Sequence, residues 1–230
     1  NEVLTLCFSR RAGLWVGTRG GLARLRTASP PMVEAVYTQA NGLAGDAASV
    51  LWEDSRGRLW VGGGYANQPG LSMFDGERWT AFTTADGLAH DMVNAILATP
   101  GGELLIGTGF SSRGGATLYD GTAWAPLEAG PQGGPLPAAL AGAKVRSLFL
   151  DRGGALWLGS EYDGIARLCG GRWQLFTPAE GLAGWEVKAM LQDGSGILWL
   201  GTENGLSRLD PAVAFEGSGA AVQDGCRAGP

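Results

Sequence analysis

The chain has 230 residues, a net charge of −5 and one histidine, and 45% of it is apolar. With 40 glycines and 11 prolines it is turn-rich, yet the apolar fraction is enough for a core, which argues against low-complexity disorder. No basic run exceeds Arg10-Arg11 and no apolar run approaches a membrane span, so neither phosphate-backbone binding nor a spanning helix is supported.

In chain order, one stretch keeps returning. Leu14-Trp15-Val16-Gly17 recurs as Leu59-Trp60-Val61-Gly62, Leu156-Trp157-Leu158-Gly159 and Leu198-Trp199-Leu200-Gly201, with a degraded copy at Leu104-Leu105-Ile106-Gly107. The second residues are 45, 45, 52 and 42 positions apart. Such a period marks a solenoid, propeller or array. Each copy opens on an apolar run of strand length (A): 3–8, 48–52, 93–97, 145–150 and 187–191. A polar turn follows, as in Asp54-Ser55-Arg56-Gly57, Asp151-Arg152-Gly153-Gly154 and Asp193-Gly194-Ser195-Gly196, where Asp and Gly supply the backbone bond and positive φ that a turn needs. Strand B is the Leu-Trp-Val-Gly element. Strand C follows at 21–25, 70–74, 116–119, 164–168 and 205–209. Hairpin signals at Asp75-Gly76, Asp120-Gly121 and Gly170-Gly171 lead into strand D at 79–82, 124–127 and 173–176, with a weaker copy from Val33 to Tyr37. Pro126 cannot donate to a ladder, so D is expected at a sheet edge.

Four strands in meander order, repeated five times without a helix signal, predict an all-β β-propeller of four-stranded antiparallel blades. A two-sheet sandwich would not need the uniform period. The blades fall at about 1–46, 47–91, 92–143, 144–186 and 187–210, followed by a Gly/Ala-rich tail over 211–230. Either the ring closes with five blades or the chain is an arc of a larger one, for example seven-bladed. The start inside a repeat at Asn1, and the lack of an obvious closing strand, favour the arc. The chain reads as a mature segment or a piece of something longer, so targeting information is absent rather than negative. Three distant cysteines, Cys7, Cys169 and Cys226, argue against a disulfide framework.

A buried Trp removes roughly 150–250 Å² from water, an upper bound of roughly 4–6 kcal/mol. A surface ion pair contributes about 0–1 kcal/mol. The B-strand residues Trp15, Trp60, Trp157 and Trp199, with the D-strand tryptophans, are therefore expected to pack between neighbouring sheets. The blade with Leu105 in place of Trp is expected to be looser.

The run Asp193 to Leu209 reads Asp-x-x-Gly-x-Leu-Trp-Leu-Gly-Thr-x-x-Gly-Leu-x-Arg-Leu, and a Gly-Leu-Ala precedes other copies, as at 87–89 and 181–183. This pattern resembles the two-component regulator propeller repeat, over about residues 1 to 210. The resemblance implies a periplasmic or extracellular sensor propeller, joined to a histidine kinase or other signalling output outside this chain. It also implies small glycans or their breakdown products as ligands. The chain departs from the family in having five units and no kinase, transmembrane or DNA-binding segment.

Meander topology places the B–C and D–A connections on one face and the A–B and C–D turns on the other. The first set is expected to be long, variable and functional, since loops on a rigid scaffold carry function. Its B–C candidates are Arg19; Tyr65, Asn67 and Gln68; Phe110, Ser112 and Arg113; Glu161, Tyr162 and Asp163; Glu203 and Asn204. Its D–A candidates are Asn41 and Asp46; Asp86, His90 and Asp91; Trp185 and Glu186. Aromatic plates beside planar donors and acceptors suit a small polar ligand such as a sugar, which offers a C–H surface and hydroxyls. The long D–A insertion from Glu128 to Gly142 could be a lid, a partner contact or inert.

No catalytic machinery, cofactor motif or metal motif stands out. His90 is alone, and there is no HExxH or Gly-x-Ser-x-Gly. Glu161 and Asp163 could do acid/base work, but nothing singles them out. The expectation is a non-catalytic ligand-sensing or interaction propeller. The alternative is a propeller lyase or hydrolase similar to streptogramin B lyase, which needs a metal and a His among these loops.

Overall fold

The computed structural model describes residues 2–9, 12–26, 29–63, 70–127 and 135–211. Among the described residues it is all-β apart from three single 3-10 turns, Gln39–Asn41, Ala138–Leu140 and Pro178–Glu180. Four sheets have four antiparallel strands and a fifth has three, each in meander order, and the chain is built of β-propeller blades. The three-stranded sheet is the last, and the expected tail beyond Pro211 lies outside the described residues.

Two compact units divide the chain, the first comprising Asn1–Phe110 with Ala116–Pro126 and the second Ser111–Gly115 with Leu127–Pro230. The first unit carries blade 1 (β1 Val3–Ser9, β2 Gly13–Thr18, β3 Gly21–Arg26, β4 Met32–Tyr37) and blade 2 (β5 Val50–Glu53, β6 Leu59–Gly62, β7 Leu71–Phe74, β8 Trp79–Phe82). It also carries most of blade 3 (β9 Val93–Ala98, β10 Leu104–Phe110, β11 Arg113–Tyr119, β12 Trp124–Pro126). The second unit carries blade 4 (β13 Val145–Leu150, β14 Leu156–Ser160, β15 Ile165–Cys169, β16 Arg172–Phe176) and blade 5 (β17 Val187–Gln192, β18 Leu198–Thr202, β19 Gly205–Leu209). The D strands β4, β8, β12 and β16 are all sheet edges, as Pro126 foretold. Cys169 is disulfide-bonded, against the expectation from a sparse cysteine count, while Cys7 is a free thiol.

The repeated Asp and Trp turn out to be one device. Asp54 accepts the turn amides of Arg56 and Arg58 on Oδ1 and the Trp60 indole N–H on Oδ2 at 3.0 Å. Asp151 takes Ala155 N–H and, at 2.8 Å, Trp157 Nε1 in the same way. Asp193 takes Ser195 and Ile197 N–H and Trp199 Nε1 at 2.8 Å. One oxygen shapes the turn and the other satisfies an indole that would otherwise be buried at a cost. These bonds, led by the Ser195 hydroxyl, hold the Asp193 carboxyl down to about 2. Where blade 3 has Leu105, the Asp position is Thr99, so both partners are replaced together. Leu104, Leu105 and Ile106 are all buried. Among the described residues the N–H groups of Trp52, Trp79 and Trp173 have no protein acceptor.

Three of the B-strand indoles wedge one sheet onto the next. Trp15 and Leu22 of blade 1 pack with Leu59 and Val61 of blade 2. Trp60 and Leu71 meet Leu104 and Ile106 of blade 3. In the second unit Trp157 and Ile165 meet Leu198 and Leu200. The two joints of the first unit carry the same aromatic quartet, Trp15–Tyr37–Phe74–Trp79 and Trp60–Phe82–Tyr119–Trp124, with closest centroids of 4.8 Å and 4.3 Å. Such pairs add about 0.5–1.5 kcal/mol beyond area burial. The strand-C arginine of the repeat covers the indole from within the sheet: Arg24 lies 5.9 Å from the Trp15 ring and Arg167 5.1 Å from Trp157.

The glycine after Leu-Trp-Val is the other half of the joint. A Cβ on Gly62 would lie 2.6 Å from Val93 Cγ1, and one on Gly159 would lie 2.8 Å from the Val187 carbonyl. The next blade's first strand occupies that space. The described part of the long insertion is likewise structural: Leu140 and Ala143 pack on Ala166, Trp173 and Leu175.

Asp151→Ala is expected to lower unfolding free energy by about 2–4 kcal/mol in urea denaturation, since two buried N–H groups lose their acceptor. Thr99→Ala, in the blade without an indole, should cost under about 1 kcal/mol. Gly159→Ala should cost about 1–3 kcal/mol from overpacking. At Gly201, where the nearest atom to a Cβ is 3.8 Å away, the same change should stay within about 0.5 kcal/mol.

Candidate functional site

The two sets of connections on the expected face differ from the sequence reading. The B–C connections at Arg19-Gly20, Ser111-Ser112 and Glu203-Asn204 are tight turns rather than long loops. Tyr65, Asn67 and Gln68, on the longest B–C connection, lie outside the described residues. The D–A connections are the long ones, and they are braced from within.

That bracing occupies several candidates. Asn41 accepts the Thr38 amide, Asp86 that of Thr83 and Glu180 that of Thr177, a capping-box arrangement repeated three times. Five residues further on, Asp46 accepts the Gln39 amide and Asp91 the Thr84 amide, each at 2.6 Å. His90 accepts the Met92 amide on Nδ1 at 2.9 Å. Arg19 pairs with Glu2 at 2.6 Å. Phe110 and Arg113 are exposed at the ends of β10 and β11.

The D–A connection between β16 and β17 breaks this pattern. Pro178 stands where Gln39 and Thr84 stand, and a proline has no N–H to be accepted. The position of Asp46 and Asp91 is taken by Trp185, which is 47% exposed. Glu203 from the turn between β18 and β19 holds the loop instead, accepting the Trp185 and Glu186 amides on its two oxygens at 2.9 Å.

Around this exception the structure brings five residues together. Glu161, Tyr162, Trp185, Glu186 and Glu203 line an open cleft of about 310 Å³ within the second unit, at the low end of the range for small-molecule sites. Tyr162 is 53% exposed and donates its hydroxyl to Glu161 Oε1 at 3.0 Å. Asp163 accepts the Ser160 hydroxyl and fixes the β14–β15 turn. Asn204 donates to Glu203 Oε1. The carboxylates meet cations absent from the sequence-based candidates: Lys144 pairs with Glu161, and Arg146 and Lys188 with Glu186 at 3.1 and 3.2 Å. The signal was the register, which sets Val145 opposite Ser160 and Val187 opposite Thr202, so the starts of these strands lie beside the ends of the B strands that lead into the B–C turns.

Burial pushes the Glu161 carboxyl up, but Lys144, Tyr162 and Arg146 outweigh it and leave it below its usual range. Burial opposes the same fall at Glu203, where the amides of Trp185 and Glu186 and the charge of Lys188 prevail. The bond to Glu161 pushes the Tyr162 phenol up. Among the described residues no three His, Cys, Asp or Glu side chains converge on a point that could hold a metal ion.

Antiparallel meander blades joined by indole wedges define a β-propeller scaffold. The comparisons with known structures agree on the fold. The chain is similar to the extracellular domains of two hybrid two-component system proteins from B. thetaiotaomicron. For one the TM-score is 0.75 at 19% identity, over 93% of this chain and 28% of that one. For the other it is 0.68 at 18% identity, over 92% and 30%. A third similar structure is a catalytically inactive virginiamycin B lyase from Staphylococcus aureus with quinupristin, at TM-score 0.62 and 15% identity, over 89% of this chain and 68% of that one. The chain thus spans under a third of the length of the two extracellular domains. No protein-family model and no curated protein matches the sequence.

Because the folded carboxyls of Glu161 and Glu203 lie below 4.5, the anchoring they supply is fully present above that pH and is lost as pH falls through the lowered values. The fluorescence of Trp185, isolated as the difference between the wild type and Trp185→Phe, should be constant from neutral pH down to about 4.5 and change below it. In Glu203→Ala the changed signal should already be present at neutral pH.

Proposed function

We propose that this chain is a non-catalytic ligand-sensing segment of a two-component-type signalling protein. It binds a small polar ligand such as a glycan fragment at the cleft of Glu161, Tyr162, Trp185, Glu186 and Glu203. The observation that carries the reading is that the cleft's acids are already committed. Glu161 and Glu203 are held ionised by partners, whereas a general acid needs a pKa near the working pH. What remains free is recognition surface: two exposed aromatic faces for C–H contact, and fixed carboxylates and cations as acceptors and donors for hydroxyls. The fold likeness to extracellular sensor domains supports a periplasmic or extracellular setting, as does the disulfide at Cys169. The signalling partner lies outside this chain.

The likeness to virginiamycin B lyase favours a second reading, a propeller lyase. The two separate cleanly. Glycan-array binding followed by calorimetry should find a ligand that is bound but not converted. Trp185→Ala and Tyr162→Ala should each weaken it roughly tenfold or more, about 1.4 kcal/mol, without altering the melting temperature. Binding indifferent to both variants would remove the cleft from the proposal. Metal-dependent product formation lost in His90→Ala would replace it with the lyase.

A further inference from the structure

The charges around the cleft depart from a rule that two sister repeats obey. In blades 1, 4 and 5 the start of strand A lies beside the end of strand B, because Val3 pairs with Thr18, Val145 with Ser160 and Val187 with Thr202. The residue before strand A and the residue after strand B are therefore neighbours. Blades 1 and 4 place opposite charges there: Glu2 pairs with Arg19, and Lys144 pairs with Glu161. Blade 5 places a carboxylate at both positions, Glu186 and Glu203. Glu186 finds its cations elsewhere, in Arg146 and Lys188. The oxygens of Glu203 instead receive the amides of Trp185 and Glu186 and the side chain of Asn204, and among the described residues no cation forms an ion pair with them.

The lining of the cleft sharpens this asymmetry. It consists of three carboxylates and two aromatic residues, and the three cations stand outside it. Both aromatic residues, Tyr162 and Trp185, are about half exposed. The face of an aromatic ring attracts a cation, that of tryptophan most strongly, and a neighbouring carboxylate adds to the attraction. Resting on the ligand-binding reading above, we propose that the ligand of this cleft carries a protonated amine, as an amino sugar does. Its ammonium group sits at Glu203 against Trp185, and supplies the opposite charge that Arg19 and Lys144 supply in the sister repeats. The rest of the sugar ring lies along the aromatic faces, with its hydroxyls toward Glu161 and Glu186.

Calorimetric titration of the 230-residue chain with glucosamine, N-acetylglucosamine and glucose tests this. At about pH 6 the amine is protonated and Glu161 and Glu203, lowered from their usual range, are ionised. Glucosamine should bind roughly tenfold or more tighter than the two neutral sugars. Salt at about 1 M should remove most of that preference. Glu203→Gln should bring glucosamine down to the affinity of glucose. Lys188→Met, which removes a competing cation at a half-exposed position, should tighten glucosamine roughly two- to fivefold and leave glucose unchanged. A loss in Glu203→Gln that glucose shares equally would assign Glu203 to holding the loop alone and overturn the proposal. Equal binding of the three sugars, lost in Trp185→Ala, also overturns it while leaving the polar-ligand reading in place. Glucosamine that does not bind overturns it too, whatever the glycan array finds at the cleft.

Discussion

Everything in this chain depends on keeping an indole dry without stranding its N–H. A Trp side chain is the largest apolar wedge available, and it carries one donor that must be paid for if water is excluded. In three of the five copies the repeat answers by placing a carboxylate six residues upstream, in the turn that precedes the strand. That carboxylate shapes the turn with one oxygen and caps the indole with the other. The wedge is thereby fixed in orientation before the next sheet arrives, and the glycine two residues beyond it lets that sheet come close. The substitution of Thr99 and Leu105 as a pair shows the logic in reverse: without the indole there is no donor to satisfy, and an aliphatic side chain fills the site.

Stiffness at the joints is what makes the loop face usable. The strands run straight into short turns, and the long connections are tied down by their own capping boxes and carboxylates. A cleft bordered by such loops is preorganised, so a ligand need not order it on binding. Its polar groups are alternately acidic and basic, drawn from the ends of β13 and β17 and from the turns beside them, and they neutralise one another at close range.

Much of the fold was legible because its cause is local. The period, the meander, the edge position of the Pro126 strand and the buried B-strand tryptophans all follow from spacing and residue type. The disulfide at Cys169 was not legible, because pairing depends on proximity that a sparse cysteine count does not reveal. At the candidate site, Glu161, Tyr162, Trp185 and Glu203, named among many from the expected loop face, lie around one cleft. Asp46, Asp86, Asp91 and His90 looked equivalent to them, yet their polar atoms are engaged by backbone amides of their own loops. The three cations were missed because they sit at strand starts and reach the turns only through cross-strand register.

Pro178 gives the clearest lesson in how such an array diversifies. Elsewhere an aspartate is held hostage by a backbone amide seven residues upstream, and so it is not free to vary. Removing that amide by a ring closure at one backbone nitrogen releases the distant position from duty, and a surface indole stands there instead. At this one connection the structural obligation is absent and an exposed indole takes the position, while in the sister connections the aspartate stays locked.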